Sequence, residues 1–244
     1  LYRTGEYSDL IISCGGTDYR VHRSIICPRS HFFAAACRNG FKEARTGKII
    51  LSDDDAQAVD LTVYYFYHLN YDPSHPREQP RNIVDNKDTG QTGASEDPPR
   101  KYPPGSDLVT HTKVYALAEK YLINGLKALA LRKFNEAAAA HWACDEFLEA
   151  AQVAYESTVE TDRGMRDAVV QTFYIHPELL DKEEVQGLFM MLPLLSYDLM
   201  MMHVRSARNW TAAPARPYNL ARPADPAESS RWADKQRSNM FRFG

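Results

Sequence analysis

The segments of this chain with a strand-like pattern all lie before Ser52, and the apolar patterns after it have helical spacing. Asp9 to Ser13 is a β-prone run, and Gly15-Gly16 predicts a tight turn from which Thr17 to Val21 returns as the second arm of a hairpin. Lys48 to Leu51 is a third short apolar strand. Strands gathered at the start with helices after them predict an α+β fold with a small sheet.

Two short helices are predicted between the hairpin and the third strand. His22 to Cys27 forms the first helix and stops before Pro28, because proline cannot continue a helix. Ser30 is an N-cap candidate for the second helix, which runs from His31 to Cys37, and Gly40 can end it.

A longer series of helices follows the third strand. Ser52 to Asp55 offers N-cap side chains, and apolar residues then recur with the spacing of amphipathic helices. The positions that define these helices are Val59, Val63, Phe66 and Tyr67; Val114, Leu117, Ala118, Tyr121 and Leu122; Leu126, Leu129, Ala130 and Phe134; Phe147, Ala150, Ala151, Ala154 and Tyr155; Met165, Ala168, Val169, Thr172 and Phe173; Val185, Leu188 and Phe189; and Leu194 to Val204.

A polar segment interrupts the helical pattern from Asp72 to Ser106. It holds seven of the chain's fourteen prolines and almost no apolar residues, so we expect a long disordered loop inside one domain. Residues 1–137 are therefore predicted to form the first domain. Residues 138–210 are predicted to form a helical extension, and residues 211–244 a disordered basic tail.

Composition limits the partners and the compartment. The formal net charge of −3 indicates no strong overall attraction to nucleic acid or to acidic membranes. Four scattered cysteines without a CxxC are unlike a disulfide framework, so we expect reduced thiols and an intracellular location, in the cytoplasm and/or the nucleus. No apolar run reaches the roughly 20 residues that span a bilayer. The first residues are also unlike a signal peptide.

Several short motifs follow one another along the predicted first domain. They are Ser8-Asp9-Leu10, Tyr19 to Cys27, Ser30 to Phe33, Phe41-Lys42-Glu43, Ile49 to Asp55, Tyr65-Phe66-Tyr67, and Val114 to Tyr121. Together they resemble the BTB/POZ family, and most closely the BTB proteins that are abundant in fungi. The resemblance covers roughly Tyr7 to Ala137. It implies the BTB/POZ fold, a small and mostly antiparallel sheet flanked by helices, followed here by a helical C-terminal extension.

The resemblance implies a structural role for three polar residues. Asp9 and Arg23 match positions that form a charged pair near the centre of the domain in many relatives, where the pair fixes the hairpin against the first helix. His22 lies where the hairpin enters that helix. We expect it to be a hydrogen-bonded histidine of the core.

Aromatic and apolar side chains of the same domain are the candidate contacts for a partner. In relatives that bind cullin-3, a hydrophobic-x-Glu triplet precedes the corresponding strand and touches the cullin, and Phe41-Lys42-Glu43 fits that triplet. The triplet also occurs in BTB domains with no such partner, so both alternatives stay open. The candidate partner-binding residues are Phe41, Glu43, Tyr64, Tyr67 and Tyr71.

The motifs of common enzymes are missing from the sequence. It has no GxSxG elbow and neither of the two common glycine-rich phosphate loops. Cys27 and His31 have the spacing of a zinc-ligand pair, but Pro28 lies between them and no second pair follows. Asp53 to Asp55 are explained more simply as helix-capping residues. We therefore predict that the protein is not an enzyme and holds no metal or cofactor.

These features predict a protein–protein interaction module, an adaptor or scaffold that associates with itself or with another protein through its BTB domain. One narrower alternative is a substrate adaptor of a cullin-3 ubiquitin ligase. Another is a transcription-associated nuclear factor, because residues 208–244 carry seven Arg or Lys against three acidic residues, with aromatic residues among them. No zinc finger or helix-turn-helix pattern accompanies this tail, which disfavours binding to nucleic acid.

Overall fold

The structure, a computed structural model, describes residues 1–38, 41–74 and 106–212, with side chains up to residue 208. Most of the predicted loop at 72–106, the glycine expected to end the second helix, and the tail beyond residue 212 lie outside the described residues. The part of the tail that is described, residues 211 and 212, is helical, so the last helix is longer than the sequence predicts.

Three strands and ten α-helices are present within the described ranges, together with two short 3-10 turns at Cys27–Arg29 and Pro177–Asp181. The strands are β1 (Leu10–Cys14), β2 (Thr17–Val21) and β3 (Lys48–Ile50). The helices are α1 (Arg23–Ile26), α2 (His31–Ala36), α3 (Lys42–Thr46), α4 (Ala56–His68), α5 (Leu108–Lys120), α6 (Asn124–His141), α7 (Asp145–Ser157), α8 (Arg163–Ile175), α9 (Glu183–Met191) and α10 (Pro193–Ala212).

The sheet has the strand order β2-β1-β3. β1 and β2 are antiparallel with Leu10 opposite Val21, and β1 and β3 are parallel with Ile11 opposite Lys48. Gly15 and Gly16, with φ of 55° and 81°, make the turn of the hairpin, a conformation that glycine adopts at little cost. The α+β class and the three predicted strands are confirmed.

Side-chain caps set the start of two helices. The hydroxyl oxygen of Ser30 accepts a hydrogen bond from the amide of Phe33 at 3.1 Å and begins α2. The carboxylate of Asp55 accepts one from the amide of Ala58 at 2.9 Å and begins α4. Both are N-caps of the kind that the sequence predicts.

One hydrophobic core extends from the sheet into the helices of the extension. Its members include Ile12 of β1, Phe66 of α4, Tyr115 of α5 and Phe147 of α7. α5 packs against both α6 and α7, so the core continues past residue 137, where the sequence places the end of the first domain. Leu1–His203 forms one compact unit, and the described part of the second unit, Val204–Gly244, is the end of α10.

Candidate interaction surface

Phe41 lies at the start of the one-turn helix α3, where its backbone is extended and its side chain is 55% exposed. Glu43 follows in the first turn of the helix and is half-buried. Gly47 ends α3 with a φ of 64°, and its amide donates to the carbonyl oxygen of Glu43 at 2.9 Å. α3 therefore presents a large apolar side chain to solvent on a short helix that Gly47 ends directly before β3.

A second group of candidate residues lies on α4. The ring of Tyr64 stacks on His68 with centroids 3.9 Å apart, and Tyr2 from the start of the chain packs edge-on against Tyr64 at 5.5 Å. Tyr2 also lies 5.5 Å from the ring of Tyr67. We call Tyr2, Tyr64, Tyr67 and His68 the α4 aromatic cluster. It is partly exposed, and among the described ring contacts none joins it to Phe41.

His22 lies beside the α4 aromatic cluster and is hydrogen-bonded to Tyr67. Its Nδ1 lies 2.7 Å from the hydroxyl group of Tyr67 and its Nε2 lies 2.8 Å from the carbonyl oxygen of Glu6. Because a carbonyl only accepts, Nε2 carries the proton, and the Tyr67 hydroxyl donates to Nδ1. The same hydroxyl oxygen accepts from the His22 amide at 3.2 Å. With both nitrogens engaged and a side chain only 6% exposed, His22 orients Tyr67.

The contact that the structure places between Asp9 and Arg23 uses the main chain of Arg23. The Asp9 carboxylate accepts a hydrogen bond from the Arg23 amide at 2.8 Å and so caps the first turn of α1. The Nε of Arg23 is buried without a hydrogen-bond partner among the described residues. Asp9 still fastens the hairpin to α1, but through the backbone instead of the guanidinium group.

Tyr71 requires a correction. Its side chain is 1% exposed, and its hydroxyl group lies 2.9 Å from Nδ1 of His111 on α5. A residue enclosed in the core cannot contact a partner of the folded chain. The sequence misleads here because Tyr71 follows two exposed residues, Leu69 and Asn70, after the end of α4, a position typical of the surface.

The sequence analysis does not predict a group of exposed apolar side chains on α9 and α10. Its members are Met190 at 84%, Met191 at 66%, Leu194 at 46%, Tyr197 at 54% and Met200 at 53% exposure. The signal was present, because the run from Leu188 to Met202 holds more apolar residues than one buried face of a helix accommodates.

Within the described ranges, no group of three or more His, Cys, Asp or Glu side chains is arranged to hold a metal ion. The same part of the chain has no single helix long and apolar enough to cross a membrane. α9 and α10 pass that test of length and composition only as a pair, and they are bent by 105°.

The N-terminal part of the chain matches a known protein family. A family model of the BTB/POZ domain matches residues 1–84. The chain contains a BTB/POZ domain. BTB/POZ domains are protein-interaction modules, and the match therefore supports a role in protein–protein interaction. The predicted family is confirmed, and the closer resemblance to fungal BTB proteins stays a prediction.

Curated relatives match a short part of the BTB/POZ domain. Kelch repeat and BTB domain-containing protein 4 of Pongo abelii, of Mus musculus and of Homo sapiens is in each case 32% identical over 62 residues. The alignment covers 25% of this chain and 12% of each relative. The chain therefore spans only a small part of the length of these proteins.

Proposed function

We propose that the protein is an adaptor whose BTB/POZ domain associates with a second copy or with another protein through Phe41, Glu43 and the α4 aromatic cluster. The observation that carries the proposal is Phe41, a large apolar side chain held 55% exposed at the start of α3 in a domain of the interaction class. Aromatic side chains of this kind contribute most of the binding energy at protein interfaces.

Sedimentation velocity of the full chain over a wide range of concentration tests this proposal. We expect the mass to rise above that of a monomer, and Phe41→Ala to weaken the association by about tenfold or more. Tyr197→Ala removes an exposed aromatic side chain from the extension and is the matched control. Association that is unaffected by Phe41→Ala and lost in Tyr197→Ala would place the interface outside the proposed surface.

A narrower proposal is that the partner is cullin-3 and that the protein recruits substrates to a ubiquitin ligase. It is supported by the triplet Phe41-Lys42-Glu43, which lies on α3 directly before β3 with Phe41 exposed and Glu43 half-buried. The helices of the extension would then provide a surface for the substrate, and the exposed Met190 and Met191 are suited to a variable partner.

Calorimetric titration with the N-terminal region of cullin-3 distinguishes the narrower proposal from the general one. Micromolar or tighter binding that is lost in both Phe41→Ala and Glu43→Lys, with both variants folded by circular dichroism, would support it. If no heat of binding is measured at high concentration, in a sample that still self-associates, the cullin-3 proposal would be rejected and the general adaptor proposal would remain. Most of the basic tail lies outside the described residues, so the nuclear-factor alternative stays a prediction.

A further inference from the structure

α9 has a buried face and an exposed face, and the exposed face ends in two methionines. Val185 and Leu188 belong to the hydrophobic core, whereas Met190 and Met191 are mostly exposed. Burial of a methionine side chain is worth about 1.5–3 kcal/mol, so two neighbouring methionines left in water mark a surface suited to contact with a partner.

Exposed apolar side chains continue onto α10, where they recur at every third position and therefore share one side of the helix. The hydroxyl group of Ser196 donates to the carbonyl oxygen of Phe189 at 3.0 Å, which ties the first turn of α10 to the last turn of α9. The exposed side chains of the two helices form what we call the α9–α10 apolar surface: Met190, Met191, Leu194, Tyr197 and Met200.

Negative charge lies at the other end of the exposed face of α9. Glu183 and Glu184 are exposed in the first turn of the helix, and each lies seven residues before one of the two methionines. Two turns of helix separate such positions, so they share a face. Lys182 is the only basic residue between Asp181 and Met191, and its Nζ donates to the carbonyl oxygen of Ala143 at 3.1 Å, in the turn between α6 and α7. The exposed face of α9 is therefore acidic where it begins and apolar where it ends.

Gly187 lies between these two ends. It is exposed, and a Cβ atom there would meet nothing within 4 Å. A glycine inside a helix costs about 1 kcal/mol relative to alanine, and nothing in the packing of the described chain requires one at this position. The missing side chain leaves the backbone of α9 open to close approach by another chain.

We propose that the exposed face of α9, together with the α9–α10 apolar surface, docks one basic amphipathic helix of a partner protein. The apolar side chains of that helix cover the methionines, and its Lys or Arg side chains face Glu183 and Glu184. Flexible methionine side chains adapt to the shape of such a helix. The inference rests on the adaptor role, in which the extension contacts a second partner, but it requires neither cullin-3 nor Phe41.

The size and charge of this surface favour a helix over two other occupants. Five side chains, each exposed by about half or more, present roughly 500 Å² of apolar surface, near the upper end of what a monomeric protein leaves exposed. A stable dimer of two copies needs roughly 800 Å² from each partner. An acidic membrane surface attracts basic segments, and the carboxylates of α9 would be repelled by it.

Fluorescence anisotropy of a labelled synthetic peptide, titrated with the full chain, tests the proposal. The peptide has about 18 residues, long enough to form a helix, with leucines at helical spacing on one face and lysines on the other. One control peptide has glutamates in place of the lysines, and a second has the same residues in an order that gives no apolar face. We expect micromolar binding of the lysine peptide and binding about tenfold weaker or less for each control.

Substitutions in the chain test the position of the site. Met190→Ala combined with Met191→Ala should weaken binding of the lysine peptide about tenfold or more. Glu183→Gln combined with Glu184→Gln should weaken it about fivefold at low salt and less at high salt. Glu136→Lys changes the net charge by the same amount at a side chain of α6 that is 69% exposed, so it is the matched control and should bind as the original chain does.

Two further variants separate docking from folding and from the BTB/POZ surface. Gly187→Lys places a long cationic side chain where the partner would approach. Because open space surrounds this position, the variant should melt no lower than the original chain but bind the lysine peptide about tenfold more weakly. Phe41→Ala should leave peptide binding unchanged, so this proposal and association through Phe41 can fail separately.

Several outcomes would overturn the proposal. They are an absence of binding by the lysine peptide, equal binding of the glutamate peptide, and an equal loss of binding in Glu136→Lys and in the variant with both Glu183 and Glu184 replaced. Binding of the chain to phosphatidylserine vesicles that the two methionine substitutions abolish would assign the surface to a membrane instead. Protection of Met190 and Met191 from oxidation in a concentrated solution of the chain alone would assign it to a second copy.

Discussion

The ring of His22 is held on both sides, by the carbonyl oxygen of Glu6 and by the hydroxyl group of Tyr67. The sequence predicts a hydrogen-bonded core histidine at this position, and the side chain is 6% exposed in the structure. It cannot name Tyr67 as the partner, which is 45 residues away in the chain. A side chain expected at the interface is therefore also a support of the fold.

Replacing Tyr67 by phenylalanine tests this double role. The change leaves the amide and Nδ1 of His22 without their partner in a site that is 6% exposed, so we expect the free energy of unfolding to fall by about 2 kcal/mol. Urea unfolding measures the change. Tyr197→Phe is the control, because Tyr197 is 54% exposed and should lose almost nothing. Equal stability of the two variants would show that the His22–Tyr67 contact is not formed in solution.

The buried pair of Tyr71 and His111 predicts a dependence of stability on pH. Burial, with the nearby charge of Lys133, lowers the pKa of His111 to about 4 from its ordinary value of 6.5. Between these values the unfolded chain binds a proton that the folded chain does not bind. The stability that the neutral imidazole provides is therefore complete above pH 6.5 and is lost as the pH falls towards 4.

We expect this single group to account for about 3 kcal/mol between neutral pH and pH 4. Urea unfolding at a series of pH values measures it, with His111→Gln as the comparison. The variant should be less stable at neutral pH but should lose less stability on acidification. Parallel curves for the two proteins would contradict the assignment of the pH dependence to His111.

Gly125 and Gly187 are helical glycines that the sequence does not distinguish, but they differ in how closely another helix approaches them. A Cβ atom at Gly125, in the first turn of α6, would overlap the hydroxyl oxygen of the buried Tyr65 on α4. A Cβ atom at Gly187, in the middle of α9, would meet nothing. Only the first glycine is therefore required by packing.

The two alanine variants should change stability in opposite directions. Gly125→Ala must displace a rigid aromatic ring and should lower the free energy of unfolding by about 1–3 kcal/mol. Gly187→Ala should raise it by about 1 kcal/mol, because alanine restricts the unfolded chain and favours the helix. Thermal unfolding of the two variants measures both changes. A stabilising Gly125→Ala would mean that Tyr65 of α4 does not lie against Gly125 of α6.

Strands and helices are predicted correctly from the sequence where turn residues or N-caps determine where they begin and end. The hairpin follows from Gly15-Gly16 between β-prone runs, and α2 and α4 follow from their N-caps. α3 was not predicted, because its five residues have no apolar period and depend on Gly47 and β3 for their position. α5 begins at Leu108, earlier than its apolar stripe indicates, because the carboxylate of Glu146 on α7 accepts a hydrogen bond from the Val109 amide at 3.1 Å.

Among the described residues, hydrogen bonds and an ion pair join the BTB/POZ part of the chain to the extension. Besides Glu146, the hydroxyl group of Tyr115 donates to Asp162 at 2.7 Å, and the same carboxylate lies 3.0 Å from Nζ of Lys127. Contacts between residues so far apart in the chain cannot be predicted from the sequence, because each depends on how α5 and α6 pack against the later helices. The boundary predicted at residue 137 marks the end of the resemblance to the BTB/POZ family, and the described core runs across it.

A shared core predicts one cooperative unfolding unit for the sheet and the helices of the extension. Phe147→Ala in α7 removes a fully buried side chain and should cost about 3–5 kcal/mol. Amide hydrogen exchange should then accelerate in β1 by the same factor as in α8. Phe41→Ala, at an exposed site, should leave both unchanged. Loss of protection confined to α7 and α8 would show that the extension unfolds on its own.

The position of the interface is tested most directly by hydroxyl-radical footprinting of the full chain, dilute and concentrated. Phe41 and Tyr64 should become protected as the chain associates, while the exposed side chains of Met190, Met191 and Tyr197 on the extension should react as before. Protection of the two methionines with unchanged reactivity of Phe41 and Tyr64 would contradict association through the BTB/POZ surface.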